Sequence, residues 1–448
     1  MTETVTELDR SLAGTALGPE DPEYDAARRC FNALVDRRPA VIARCIGASD
    51  VATALDYARA AGLEVAVRGG GHNPAGHCVL DGGLVIDLSD MRTVDVDADA
   101  RVARADGGAT WLDFDSATQA FGLVTPGGVV GSTGVGGLTL GGGIGHLTAQ
   151  RGLTCDNLIG AEMLTPDRGL VQVSAGENPD LLWALRGGGG NFGVATRLEF
   201  RLDALDGVVG GSLAYGGEGV RDGFRRFRDL VATSPRELSC QAVLAVDDAL
   251  APVLMVYPCY TGSEGEPEEL RELRSVPGLV EDGVRAHPYF EQQNLFESPF
   301  GTERNYWKGH FVRELPDELF DELVERIVAL GRPPGGILFE SLHGAPKDAD
   351  GSTAVVGFRH AAFNVSAMAT WQDAALDDQY IQWARDTAAA LEPWSFSGGG
   401  YVNYMQADEP IERVRAAFGA EAFERLQALK TRYDPANVLH RNQNIPPA

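Results

Sequence analysis

What most constrains this chain is where its glycines fall: of 55 among 448 residues, 13 lie between residues 101 and 150. They follow no G-x-y period, which excludes a collagen helix, and Leu, Val and Ile run through the same passage, which excludes a polar linker. In TPGGVVGSTGVGGLTLGGGIG the missing Cβ atoms let backbone amides come within hydrogen-bonding distance of a ligand or of another loop. The signature recurs in Val67-Arg68-Gly69-Gly70-Gly71-His72, after a predicted strand over 64–68, and in PDLLWALRGGGGNFGV, where four glycines follow a short predicted helix.

Around these passages the chain reads as alternating helices and strands. From Ser49 a cap leads into an amphipathic helix with Val51, Leu55 and Ala58 on one side, stopped by glycine. Strands are predicted over 83–88, 101–105 and 194–200, and a helix over 109–120. After about residue 205 the composition changes. LSCQAVLAVDD and APVLMVYPCY alternate like sheet strands, and PDELFDELVERIVALG is a helix with Leu319, Leu323, Ile327 and Leu330 on one face. GGILFESLHG and STAVVGFRHAAFNVSAMATW predict two more strands, and 373–391 a helix. Glycines return near residue 395, followed by YVNYM, a predicted helix over 411–431 and YDPANVLHRNQNIPP. The expectation is an α+β chain in three parts, 1–205, 206–394 and 395–448, the last packing back on the first.

Charge narrows the partners. Lys plus Arg number 38 against 64 Asp plus Glu, a net charge of -26, and only Lys308, Lys347 and Lys430 are lysines. A surface this acidic repels nucleic acid and anionic membrane, so the expected partner is a small molecule. No apolar run is long enough to span a bilayer and the first twenty residues do not form a signal peptide, so a cytoplasmic location is expected. Oligomeric state is not set by the sequence. Cys30, Cys45, Cys78, Cys155, Cys240 and Cys259 lack CxxC spacing, which points to buried thiols and away from a zinc or iron–sulfur site.

His72 stands at a strand exit after three glycines, with no apolar helical face to fill. It reads as a functional residue, an ordinary hydrogen-bonded loop histidine or a metal ligand. The metal reading lacks a second ligand at tight spacing, His77 being near but unflanked by carboxylates, and no metal site is expected. The glycine passage matches neither the P-loop nor a well-placed dinucleotide fingerprint, and no G-x-S-x-G elbow or H-x-E motif is present. A glycine-lined clamp remains, able to hold a pyrophosphate with neutral backbone donors.

Taken together, RGGGHNPAGHCVLDGGLVIDLSDM, GLVTPGGVVGSTGVGGLTLGGGIG, NPDLLWALRGGGGNFGV, YVNY and YDPANVLHRNQNI resemble, in order and over nearly the whole chain, the berberine-bridge-enzyme-like group of the vanillyl-alcohol-oxidase, or PCMH-type, flavoproteins. The resemblance implies an FAD domain of two α+β subdomains built from both ends of the chain, and a middle substrate domain whose antiparallel sheet roofs the flavin. It implies that His72 bonds covalently to the flavin 8α-methyl carbon. By the same resemblance Arg68, Gly69, Gly70, Gly71, Gly134, Gly136, Gly137, Asn191, Gly193 and Asn403 belong to the FAD site. Thr133 takes the place that helps gate oxygen in relatives. Where many relatives carry a second anchor cysteine this chain has Val130, so a single covalent bond, at His72 only, is expected. His146 replaces a common Trp and either faces the ligand or caps a loop.

A flavin accepts a hydride, and the protein must then hold the substrate carbon and manage a proton. If YVNY is a strand, Tyr401 and Asn403 share a face and Tyr404 points away, making Tyr401 the first candidate for that proton and Tyr404 its competitor. Lys308 is a pocket charge or a snorkelling edge residue. Glu340, His343, Arg359 and His360 are further pocket candidates, with Arg359 and His360 on opposite faces of their predicted strand. The function implied is an FAD-linked oxidase of a small alcohol or amine using O2. The alternatives are a flavin-dependent oxygenase or cyclase of polyketide-like metabolites and a flavoprotein without enzymatic activity.

Overall fold

Val51, Ala54, Leu55 and Ala58 recur at helical spacing and are buried, so the helix Ala48–Ala61 lies with this stripe on a sheet and stops at Gly62, whose φ of 66° is left-handed. The cap is Gly47 rather than the expected Ser49, which lies within the first turn. Asp50 gathers the amides of Ala13, Gly14 and Ile46 beside that end. The structure, a computed structural model, describes residues 3–263, 265–297, 300–331, 335–349 and 351–448. It is an α+β fold.

The first sheet orders the strands Thr15–Leu17, Val41–Arg44, Leu84–Asp87 and Val65–Arg68, the last three mutually parallel. The second is antiparallel, in the order Val94–Asp97, Val102–Asp106, Val194–Arg201, Leu158–Thr165 and Gly169–Ser174. Against it lies the helix Trp111–Gln119, held by a capping box between Thr110 and Asp113. Trp111, Phe114 and Phe200 meet in its core, together with Val402, Met405, Phe418, Phe423, Tyr433 and Ile445 from the C-terminal segment. These C-terminal residues share one core with the second sheet and the helix Trp111–Gln119.

Nine strands between Val208 and Trp371 form the third sheet. Its central strands Leu238–Val246, Gly335–Ser341 and Phe363–Trp371 alternate strictly. Ala242, Leu244, Ile337, Phe339, Val365 and Ala367 share a core with Phe224 and Phe227 of the helix Gly219–Thr233, Phe320 and Leu323 of Asp317–Leu330 and Trp383 of Asp377–Leu391. The intervening residues face the other way.

Three sequence expectations fail here. Tyr401–Tyr404 is a helical turn, with the amides of Tyr404 and Met405 both bonded to the Tyr401 carbonyl, so strand alternation does not apply to it. The helix expected over 411–431 is two, Ile411–Phe418 and Ala420–Tyr433, broken at Gly419 with φ 84°. The strand expected from residue 352 begins only at Phe363, so Arg359 and His360 precede it. Arg359 is buried on Asp156, and His360 is exposed. All six cysteines are free and buried, and among the described residues no helix is long and apolar enough to cross a membrane.

One buried ion pair ties the tail down. The Lys430 ammonium donates to Asp434 at 2.7 Å and to the carbonyls of Asn191 and Leu439 at 2.7 and 2.9 Å, and both side chains are fully enclosed. Asp434 also accepts the amides of Val438 and Leu439. Removing one partner strands the other charge in the interior. Lys430→Met is therefore expected to lower unfolding free energy by about 3–5 kcal/mol, read from the urea midpoint, while a surface control such as Lys347→Met changes it by less than about 0.5 kcal/mol.

Candidate active site

Where the three sheets meet they enclose a cavity of about 620 Å³. Much of its wall is made of glycine. The strand Val65–Arg68 runs out into Gly69-Gly70-Gly71, and there the backbone passes so close to the second glycine loop that a Cβ on Gly70 would stand 2.3 Å from the Gly134 nitrogen, and one on Gly134 2.4 Å from the Gly70 nitrogen. Gly71 adds a left-handed φ of 71°. Gly137 and Gly190 meet nothing within 4 Å, so at these positions the missing side chain opens space for a ligand.

Gly69, Gly70, Gly71, His72, Thr133, Gly134, Gly136, Gly137, Asn191, Gly193, Asn403 and Tyr404 all line the cavity, as does Val130. Among the residues expected at the flavin and for the proton, Arg68 and Tyr401 do not. Arg68 turns its guanidinium to the Ala27 carbonyl and braces the N-terminal segment. Tyr401 is buried with its hydroxyl accepting the amides of Gly143 and Ile144 at 3.0 and 3.2 Å and the Asn403 amide at 3.0 Å. The turn that replaces the expected strand thus points Tyr401 into the glycine loop and Tyr404 into the cavity.

The His72 ring stacks on Phe31 with centroids 4.7 Å apart. Burial lowers its pKa to about 4, so the imidazole is neutral at physiological pH, and its Nε2 is enclosed without a partner. Tyr404 stands at the sheet end of the cavity, edge-on to Trp307, and its hydroxyl donates to Glu340 Oε1 at 3.3 Å. Asn364 donates to the other Glu340 oxygen at 2.6 Å. Burial is the largest influence on Glu340 and raises its carboxyl to about 7 against those two bonds.

The remaining candidates serve structure. Lys308 is not a pocket charge: it lies on the edge strand Arg304–Val312 of the large sheet, where its mostly enclosed ammonium pairs with Glu409 at 2.7 Å instead of snorkelling to solvent. His343 bonds the Leu238 carbonyl at 3.0 Å. His146 is buried behind Phe296, its Nδ1 3.5 Å from Gln292, so it neither faces the cavity nor caps a loop. Sequence reasoning missed Phe31, Gln241, Tyr257, Phe296 and the run Arg441–Gln443, all of which line the cavity. For Gln241 the signal was present, a long polar side chain, with Ser239 the only other polar residue, in the apolar alternation of LSCQAVLAV.

The cavity suits a long cofactor with a pyrophosphate centre. Backbone donors crowd one end, Arg441 is the one basic chain other than histidine among the described lining residues, and His72 Nε2, Arg441 Nε and Asn442 Oδ1 are buried and unpartnered. Residues 39–174 match the model of an FAD binding domain, and residues 400–446 the model described as berberine and berberine like. Among curated proteins the chain is 31% identical to (R)-6-hydroxynicotine oxidase of Paenarthrobacter nicotinovorans, over 98% of this chain and 97% of that protein. The chain belongs to the berberine-bridge-enzyme-like FAD-linked oxidoreductases. The crystal structure of 6-hydroxy-D-nicotine oxidase from Arthrobacter nicotinovorans superposes with a TM-score of 0.90 at 30% identity, covering 98% of this chain and 99% of that one. Glucooligosaccharide oxidase from Acremonium strictum, described with a 6-S-cysteinyl, 8α-N1-histidyl FAD, shares the fold at a TM-score of 0.85 and 24% identity, each chain covered to 99%.

In this FAD-linked oxidoreductase the crossing of Gly70 and Gly134 admits no side chain. Gly70→Ala is expected to leave a soluble protein with at most about a tenth of the wild-type flavin absorbance per polypeptide, because the new methyl group must push the two loops apart. Wild-type flavin content in that variant would show that the loops part without disturbing the site.

Proposed function

We propose that this protein is an FAD-dependent oxidase that takes a hydride from a small, largely apolar alcohol or amine, with O2 as electron acceptor and H2O2 as product. The observation that carries this reading is Tyr404, facing the cavity and backed by a buried carboxyl that titrates near neutrality. Around it the large sheet contributes the apolar Val243, Leu338, Met368 and Trp307, with Phe296 beside them, and the neutral polar Gln241, Asn305 and Thr370, but no lysine or arginine. That wall favours a substrate closer in character to the amine named for the nicotine-oxidase relative than to an oligosaccharide.

When bound, FAD supplies the acceptor for the hydride and the route of the electrons to oxygen. The chain's own residues handle the proton. Above about pH 7 Glu340 is ionised and accepts from the Tyr404 hydroxyl, which raises the basicity of that oxygen toward an O–H or N–H of the substrate. Below that pH Glu340 holds its proton and this assistance is lost. Tyr401 and Asn403 are positioning residues, since their bonds to Gly143, Ile144 and Leu138 fix the turn that presents Tyr404. Residues 1–205 and 395–448 would hold the cofactor and 206–394 the substrate.

His72 is proposed as the sole covalent anchor. A neutral imidazole stacked in the cavity wall is available as a nucleophile, and Val130 gives the flavin no second attachment. Flavin should then survive acid precipitation and appear, on mass analysis of proteolytic fragments, on the peptide containing His72 alone. His72→Ala should release it on denaturation. Complete extraction from wild type, or an adduct on Cys78, which also lines the cavity, would refute the assignment.

The oxidase reading is tested by anaerobic stopped-flow reduction with a substrate found by screening, followed by product analysis under labelled oxygen. The reduction rate should rise with pH to a plateau, half-maximal near pH 7. Glu340→Gln should abolish that step, and Tyr404→Phe should slow reduction about 10²-fold, while Tyr401→Phe acts mainly on stability. Full-speed reduction in Tyr404→Phe would move the proton elsewhere. Label appearing in the organic product rather than in peroxide would replace the oxidase with an oxygenase.

A further inference from the structure

Resting on that reading of the site, we propose that Gln241 is its specificity-determining residue and selects a neutral ring compound presenting a hydrogen-bond donor and acceptor side by side, as the edge of a lactam does. In the sheet register Gln241 lies opposite Tyr257 on one side and Glu340 on the other, and Glu340 lies opposite Asn364. These four residues form one row on the cavity side of the sheet, neighbours spaced by roughly 4.8 Å. Glu340 is fully engaged by Asn364 and Tyr404. Gln241 is not: it is 2% exposed, it lines the cavity, and both its amide oxygen and its amide nitrogen are enclosed without a partner.

A buried carboxamide with neither end satisfied is costly, and a ligand that meets both ends repays that cost. The group offers one donor and one acceptor in a plane, which a cis-amide edge complements with two hydrogen bonds. The surroundings define the rest of the ligand. Tyr257 and Phe296 pack with centroids 4.4 Å apart beside the amide, and Val243 and Leu338 occupy the next cavity-facing row of the same strands. A carboxylate would find no lysine or arginine among these residues. A flat, apolar ring with one polar edge at Gln241 satisfies the whole recess and leaves its oxidisable carbon toward Tyr404.

The probes are 2-pyridone and its N-methyl derivative, titrated into the flavin-loaded protein and followed by the shift in flavin absorbance, a measurement that requires no turnover. Wild type should bind 2-pyridone about tenfold more tightly or better, because the N-methyl compound lacks the donor. In Gln241→Leu and in the more flexible Gln241→Met the ratio should fall to about one with flavin content unchanged, and in Tyr404→Phe it should persist. Equal binding of the two probes by wild type, binding of neither, or a preference retained in both Gln241 variants overturns the inference. A protein that oxidises nothing yet keeps the ratio removes the oxidase reading and leaves this one standing. A working oxidase with a ratio of one does the reverse.

Discussion

The near contact of Gly70 with Gly134 is the constraint on which the rest of the site depends. One loop leaves the first sheet, the other leads into the helix Val135–Leu140, and they pass with backbone where a Cβ would need to be, 2.3 to 2.4 Å from a nitrogen. Gly134 is bridged to Thr110, whose neighbour Trp111 bonds the Thr133 carbonyl, so the crossing is fastened to the helix Trp111–Gln119 and its aromatic core. From the other loop the chain continues directly to His72 and its stacking partner Phe31. Each glycine forfeits roughly 1 kcal/mol relative to alanine in backbone entropy. What offsets it is the packing of both sheets around a space that a side chain would have filled.

The large sheet solves a different problem, holding polar chemistry in place with apolar packing. Ala242, Leu244, Ile337 and Phe339 are buried under helices while their strand neighbours Gln241, Val243, Leu338 and Glu340 take the opposite face. Each large buried side chain contributes about 1.5–3 kcal/mol. A slip of one residue would exchange the two sets and drive Glu340 and Gln241 into the helix-covered core. Register is thus enforced by residues that never touch the cavity. The acidic surface has little to do with this interior, where the one carboxyl behind Tyr404 is drawn toward neutrality by burial.

Legibility in the sequence followed the range of the forces involved. RGGGH, the strand before it and the four-glycine loop are local, because glycine spacing and strand exit are properties of neighbouring residues, and the lining residues from Gly69 to His72 were readable from them. Tyr401 and Tyr404 were not readable in the right sense. Their orientation follows from a turn whose hydroxyl partner lies at Gly143, 258 residues away in the chain. Arg68 adjoins the motif but is drawn off by the Ala27 carbonyl, a contact no motif encodes. Glu340 and Gln241 become neighbours only once antiparallel strands are paired, and Lys308 finds Glu409 across a hundred residues of chain.

The Lys430 contact with the Asn191 carbonyl spans 239 residues. During synthesis the loop bearing Asn191 leaves the ribosome long before its buttress does, roughly 10 to 50 s earlier at ordinary elongation rates. In that interval the glycine loops exist without the wall that closes around them, and the entire large sheet must be translated before Lys430 appears. The cavity wall that includes Arg441–Gln443 is therefore complete only after those residues have left the ribosome, and the fully enclosed site is not available to a cofactor before then.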